Sequence, residues 1–299
     1  RIRDNIHLDP EGYRICINGR EIARGQIRVN GWLALAAGEP TLALEGEATK
    51  EPAFGLPAVW IAEHDKARAE MAGYTDVDGA SVLITHLSET LRKHASELLS
   101  REDLKVLVDK VRETSPSLVD ELMPSVLSMG LLHRVLTLLL EEAVPISNMT
   151  RILESAANHA IAVKDPVELA ERIRVDLGRI IVDRFRDEQS RLNAVVLDPR
   201  LEQELRRSLH EKTLILEPAR LERFIVALAN AWRQAHVAGK EVALLTDAVL
   251  RRPLRGALVR SLPELAVIAY QEIPIDVGLL PCALIRLEDL ETEPKQTSG

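Results

Sequence analysis

The chain is poor in aromatic residues. Three phenylalanines, three tyrosines and three tryptophans make up 3% of its 299 residues. It is poorer still in cysteine, holding only Cys16 and Cys282. They lie far apart and follow no metal or redox spacing, which excludes a disulfide framework. Both sit in strand-like runs, so two buried thiols in a reducing compartment are expected. No run approaches the roughly 18 apolar residues that span a bilayer. The most apolar stretch, 130–140, is interrupted by His133, Arg134 and Thr137. No signal-peptide pattern opens the chain.

Catalytic signatures are missing too. There is no His-Glu-x-x-His, Cys-x-x-Cys, Gly-x-x-x-x-Gly-Lys, Gly-x-Gly-x-x-Gly or Gly-x-Ser-x-Gly. His86 and His94 share a helical face two turns apart, too long a step for one metal ion. No catalytic residue, metal or cofactor is expected, and an enzyme has nothing to stand on. The formal charge of −8, from 46 acids against 38 bases, argues against a nucleic-acid-binding surface.

What is present is ordinary globular composition, 46% hydrophobic and 28% charged. The length suits two domains or more. Tyr13 to Ile17 reads as a strand with Tyr13, Ile15 and Ile17 on one face. Asn18-Gly19 is a favoured hairpin turn, and Glu21 to Val29 returns. Trp32 to Ala36 starts another strand. Residues 38–50 read as an irregular surface excursion. Ala58 to Ile61 is a strand, His64 to Met71 a helix and Thr75 to Val77 a strand, so 30–78 forms a small α/β insert.

Helical spacing then takes over. Asp78 and Ser81 are candidate caps for a helix to about Leu99. Ser100 to Asp103 resembles a capping box for a second helix, through Arg112. Ser115-Pro116 starts a third. Pro124 starts a fourth, reaching Glu142, and Ser147 caps a fifth, to about Ile161. Asp165-Pro166 starts a sixth, to about Arg186. Beyond it, Leu192 to Leu197, Glu241 to Leu245, Leu265 to Tyr270 and Pro281 to Leu287 read as strands. Helices alternate with them, opening at Asp198-Pro199, Glu217-Pro218 and Asp247. This is a small α/β unit with parallel pairing. The last of these helices carries Arg251, Arg252, Arg255 and Arg260. That face either binds phosphate or, more commonly, pairs with acids or meets solvent.

The stretch Glu51-Pro-Ala-Phe-Gly-Leu-Pro-Ala-Val-Trp60 spends two of the scarce aromatics within ten residues. Pro52 and Pro57 restrict the backbone around Phe54, and Gly55 permits a turn. The result is a stiff corner. It is either a core corner or a preformed apolar recess that receives a partner, and local pattern favours the core.

The motifs narrow this. Ile2-Arg-Asp-Asn5, the Glu51–Trp60 stretch, Gly73-Tyr74-Thr75, Thr85-His86-Leu87-Ser88, Val144-Pro145-Ile146, Arg151-Ile152-Leu153-Glu154 and Lys164-Asp165-Pro166 occur in order. Together they resemble the cytoplasmic domain of the FHIPEP family, the flagellar type III export-gate proteins and their injectisome relatives. The likeness covers nearly the whole chain and loosens after about Asp187. It implies a multi-subdomain α+β fold. A discontinuous α/β first subdomain (1–29 and 79–99) holds a small α/β insert (30–78). A helical third subdomain (100–186), an α/β C-terminal subdomain (187–290) and a disordered tail (291–299) follow. It also implies a piece of a larger protein at the cytoplasmic face of the bacterial inner membrane, anchored by an N-terminal transmembrane part.

The implied role is a docking platform that passes export substrates to the membrane channel. Its partners would be flagellar export chaperones with bound substrates, and other export-apparatus proteins including the ATPase complex. Full-length copies would associate in a nonameric ring, the isolated piece being a monomer or weak oligomer. By resemblance the chaperone site is a dimple of Phe54, Glu51, Val77, Val82 and Thr85. Phe54 is its apolar floor, Val77 and Val82 its lining, and Thr85 a rim hydroxyl. Glu51 stands where the family pattern has Asp. The injectisome counterpart is the near alternative. A hydrolase or transferase on the C-terminal α/β unit is the distant one, resting only on the ligand-binding habit of parallel sheets.

Overall fold

The computed structural model describes residues 2–36 and 42–291. The chain divides into two compact units, Arg1–Ser100 and Arg101–Gly299.

In the first unit β1 (Gly12–Ile17) and β2 (Arg20–Gln26) form an antiparallel ribbon. Asn18 and Gly19 take positive φ of 50° and 80° at its turn, as that dipeptide allows. Ile15 and Ile17 point inward, so Cys16 between them points out and is exposed. That corrects the expected buried thiol, since strand side chains alternate. Cys282 is only half-buried.

The insert is a four-stranded antiparallel sheet of order β4-β5-β3-β6. Its strands are β3 (Gly31–Ala36), β4 (Glu47–Lys50), β5 (Pro57–Ala62) and β6 (Tyr74–Asp78), with α1 (Lys66–Met71) between the last two. One face packs Leu33, Ala58 and Trp60. The other packs Ala34, Ile61 and Ala69. The expected excursion at 38–50 ends in β4, a polar edge strand that lacks an apolar rhythm, and residues 37–41 lie outside the described residues. Helix α2 (Gly79–Lys93) opens on Asp78, whose carboxylate accepts the Ser81 N–H at 3.0 Å. It stops at His94, and a single turn, α3 (Ala95–Leu98), follows in place of a continuous helix to Leu99.

The second unit begins with helices: α4 (Arg101–Thr114), α5 (Pro116–Leu122), α6 (Met129–Glu141), α7 (Met149–His159), α8 (Pro166–Asp176) and α9 (Gly178–Asp183). Three starts or stops differ from expectation. Helix α6 does not start at Pro124. The N–H groups of Val126 and Leu127 both return to the Leu122 carbonyl, and the Ser128 hydroxyl then caps α6 by accepting the Leu131 N–H at 3.1 Å. Asn148, not Ser147, caps α7. The single helix expected from Asp165 to Arg186 breaks at Leu177. There Gly178 presses against the Glu272 backbone; a Cβ would lie 2.0 Å from that carbonyl oxygen.

The α/β part holds β7 (Leu192–Leu197), α10 (Pro199–Arg207), β8 (Leu209–His210), β9 (Thr213–Leu214) and α11 (Pro218–Val237). Then come β10 (Ala243–Thr246), α12 (Ala248–Leu258), β11 (Ala266–Ala269) and β12 (Leu279–Ile285). Its main sheet has the order β11-β10-β7-β12 and every pair is parallel. Phe224, Leu228, Leu250, Leu254 and Leu258 cover it, meeting Val195, Leu244 and Val267 from the strands. The small β8–β9 hairpin follows α10 directly, with Glu211 and Lys212 at positive φ. Of the expected tail, 292–299 lies outside the described residues.

Candidate docking corner

The corner between β4 and β5 closes on itself. The Glu51 N–H donates to the Leu56 carbonyl, and the Gly55 N–H donates to the Glu51 carbonyl, both at 2.8 Å. Gly55 has a φ of 72°. The Glu51 carboxylate also accepts the Ala53 N–H at 2.8 Å and the Phe54 N–H at 2.6 Å. Each bond fixes a short loop whose backbone has no regular ladder to satisfy it.

The five residues of the expected dimple fare differently. Phe54 is 55% exposed, with Leu56 beside it at 41%. Thr85 is exposed on α2. Val77 is half-buried against the Leu33–Trp60 cluster. Val82 is 2% exposed and belongs to that cluster. Its side chain supports the surface from below and offers almost no wall, because the helix turns it inward onto Trp60. Glu51, expected at the site's contact face, is 4% exposed and bonded inward to the backbone. Trp60, at 8%, is core, as the alternation of β5 predicts.

Sequence reasoning missed a tie beneath the corner. The His86 Nδ1 lies 2.6 Å from the Tyr13 hydroxyl. Burial, with the Glu51 charge behind it, pushes the Tyr13 phenol up to about 12. Burial pushes the His86 imidazole below 6.5; the Glu51 charge opposes this and Lys93 adds to it. His86 stands four residues after Val82, so helical spacing already placed it on the buried face. A recess of about 670 Å³ also lies in this unit, lined by residues including Tyr13, Arg24, Thr49, Lys50, Glu51 and Trp60. Phe54, Val77, Val82 and Thr85 are not among its lining residues.

The other candidate surfaces are occupied by their own contacts. On α12 Arg251 is buried against Glu142 and Glu171, and Arg255 donates to the Pro263 and Leu265 carbonyls. Pairing with acids is what Arg251 shows, whereas Arg255 is held by backbone carbonyls. At the carboxyl ends of the parallel strands, the Thr246 hydroxyl donates to Glu202 and Arg206 donates to Asp247. Burial pushes the Glu202 carboxyl up. Among the described residues, no group of three or more His, Cys, Asp or Glu side chains is placed to hold a metal ion.

A family model described as the FHIPEP family matches residues 1–278. The chain belongs to the FHIPEP family. The flagellar biosynthesis protein FlhA of Proteus mirabilis is 39% identical over 272 residues, which are 91% of this chain and 39% of that relative. The chain thus spans about two fifths of the length of that FHIPEP relative. Among solved structures, Chlamydia pneumoniae CdsV superposes with a TM-score of 0.78 at 26% identity, over 94% of this chain and 82% of its own. The nonameric EPEC SctV-C superposes with a TM-score of 0.75 at 21% identity, over 94% and 85%, and at that identity shows the shared fold. No helix among the described residues is long and apolar enough to cross a membrane.

Proposed function

We propose that this chain is the cytoplasmic docking platform of a flagellar protein export gate. It binds export chaperones with their substrates and helps pass the substrates to a membrane channel. Membership of FHIPEP and the FlhA relative support the gate. The observation that carries docking is Phe54, held more than half exposed on a corner closed by its own hydrogen bonds. An exposed aromatic on rigid backbone loses little conformational freedom on binding and makes a good anchor. The recognition mode would be an amphipathic partner segment laid across Phe54, with Val77 at the edge and the Thr85 hydroxyl at the rim. Glu51 and Val82 would serve from beneath.

Titration of a purified flagellar chaperone–substrate complex tests this. Phe54→Ala should weaken binding at least about tenfold, as loss of an interface anchor does. Equal affinity for the variant and the natural chain removes Phe54 from the site. The likeness to CdsV supports a second reading, an injectisome gate, which differs in cargo rather than in physics. Flagellar genes beside this one, and binding of flagellar but not injectisome chaperones, would favour the first. In the whole protein the fold would assemble as a ring of nine, the state of SctV-C. The chain alone should scatter light as a monomer or weak oligomer at micromolar concentration.

A further inference from the structure

We infer that Glu51 is a positioning residue, acting on the partner only through Phe54. The inference rests on the docking reading and deepens it. An acid at the edge of a docking corner is ordinarily taken as a contact for the partner's donors. Here its carboxylate is turned toward its own loop. One oxygen accepts the Ala53 N–H at 2.8 Å and the other the Phe54 N–H at 2.6 Å. The residue is 4% exposed, so a partner finds almost no carboxylate to reach.

The same residue closes the loop with its own backbone, through the Leu56 carbonyl and the Gly55 N–H. Residues 51–56 are therefore held from four bonds that all meet at Glu51. The product is the direction of one side chain, Phe54, pointing to solvent. Without the carboxylate two backbone donors lose their partner. The loop then samples other conformations, and the anchor must be ordered at the moment of binding. An Asp carries the same acceptor pair on a shorter arm and can bond backbone donors two and three residues ahead. Position 51 thus asks for an acceptor that reaches back into its own loop, rather than for a charge facing outward.

A double-mutant cycle with a purified flagellar chaperone–substrate complex separates the two roles. Glu51→Ala should weaken binding about tenfold in the natural chain and less than twofold in the Phe54→Ala background. Glu51→Asp should bind within about twofold of the natural chain. By NMR, the Ala53 and Phe54 amides should exchange faster in Glu51→Ala than in the natural chain, with the rest of the sheet unchanged. A tenfold loss in both backgrounds overturns the inference, because Glu51 then meets the partner itself. Unaltered exchange at Ala53 and Phe54 also overturns it, whatever the affinity. Natural binding by Phe54→Ala overturns the docking reading and the inference with it, even where exchange shows the bonds to Glu51 intact.

Discussion

A charge on His86 has little water to lean on. The ring is buried, with Tyr13 facing it from β1, Glu51 from the corner and Lys93 from its own helix. Burial dominates and holds its pKa below 6.5 in the fold, Glu51 opposing and Lys93 assisting. As pH falls through 6.5 the unfolded chain takes up a proton that the folded chain resists. The unfolded state then binds more protons, so stability rises with pH across that window. His86 costs nothing above about pH 6.5 and progressively destabilises the fold below it. The urea midpoint should therefore drop between pH 7 and pH 5, and His86→Gln should flatten that drop. An unchanged slope in the variant would clear His86. Glu51 shows why part of the site was hidden. Its loop position and charge were plain, but the direction of its side chain depends on the φ of Gly55 and on bonds closed across five residues. Trp60 was easier, because strand alternation fixes it inward; Phe54 precedes the strand, where local pattern favoured the core and only the family likeness put it at the site.

Helix starts were the most readable elements. Asp165-Pro166, Asp198-Pro199 and Glu217-Pro218 each open a helix where proline fixes φ at the first position. Helix ends were less so, because tertiary contacts set them. Gly178 against the Glu272 carbonyl is such a contact, and no local pattern announces it. Short polar strands such as β4 and β8 were invisible, since they carry no apolar rhythm. At α7 two adjacent residues suit a cap, and only geometry chooses. The Asn148 side chain accepts the Arg151 N–H at 3.1 Å, while Ser147 is exposed before it. Asn148→Ala should cost about 1 kcal/mol in chemical denaturation, the usual worth of a cap, and Ser147→Ala close to none. A negligible cost for Asn148→Ala would mean that the serine takes over when the asparagine is lost.

In the second unit, the helical layer and the parallel sheet are joined by an ionic cluster of residues far apart in sequence. Arg174 of α8 donates to both oxygens of Glu272 at 3.0 and 2.8 Å, and lies 3.3 Å from Glu142 at the end of α6. Arg251 of α12 donates to Glu142 at 2.5 Å and to Glu171 of α8 at 2.6 Å. The Arg251 side chain has no exposed surface. Burial pushes the Glu142 carboxyl up, yet Arg174 and Arg251 outweigh it and hold it at about 2, against 4.5 when free. The same balance raises the Arg251 guanidinium. Arg251→Met should therefore destabilise the unit by about 3–5 kcal/mol at pH 7, because it leaves buried carboxylates without their counter-charge. The pH dependence gives the second signature. Glu142 is ionised in the fold at pH values where the unfolded chain is already protonated. Its stabilisation is full above pH 4.5 and is lost as pH falls from 4.5 toward 2. Arg251→Met should weaken that acid dependence as well as lower the melting temperature at neutral pH. A variant that melts with the natural chain at pH 7 would show that Arg174 alone satisfies Glu142, and that Arg251 is held there by packing.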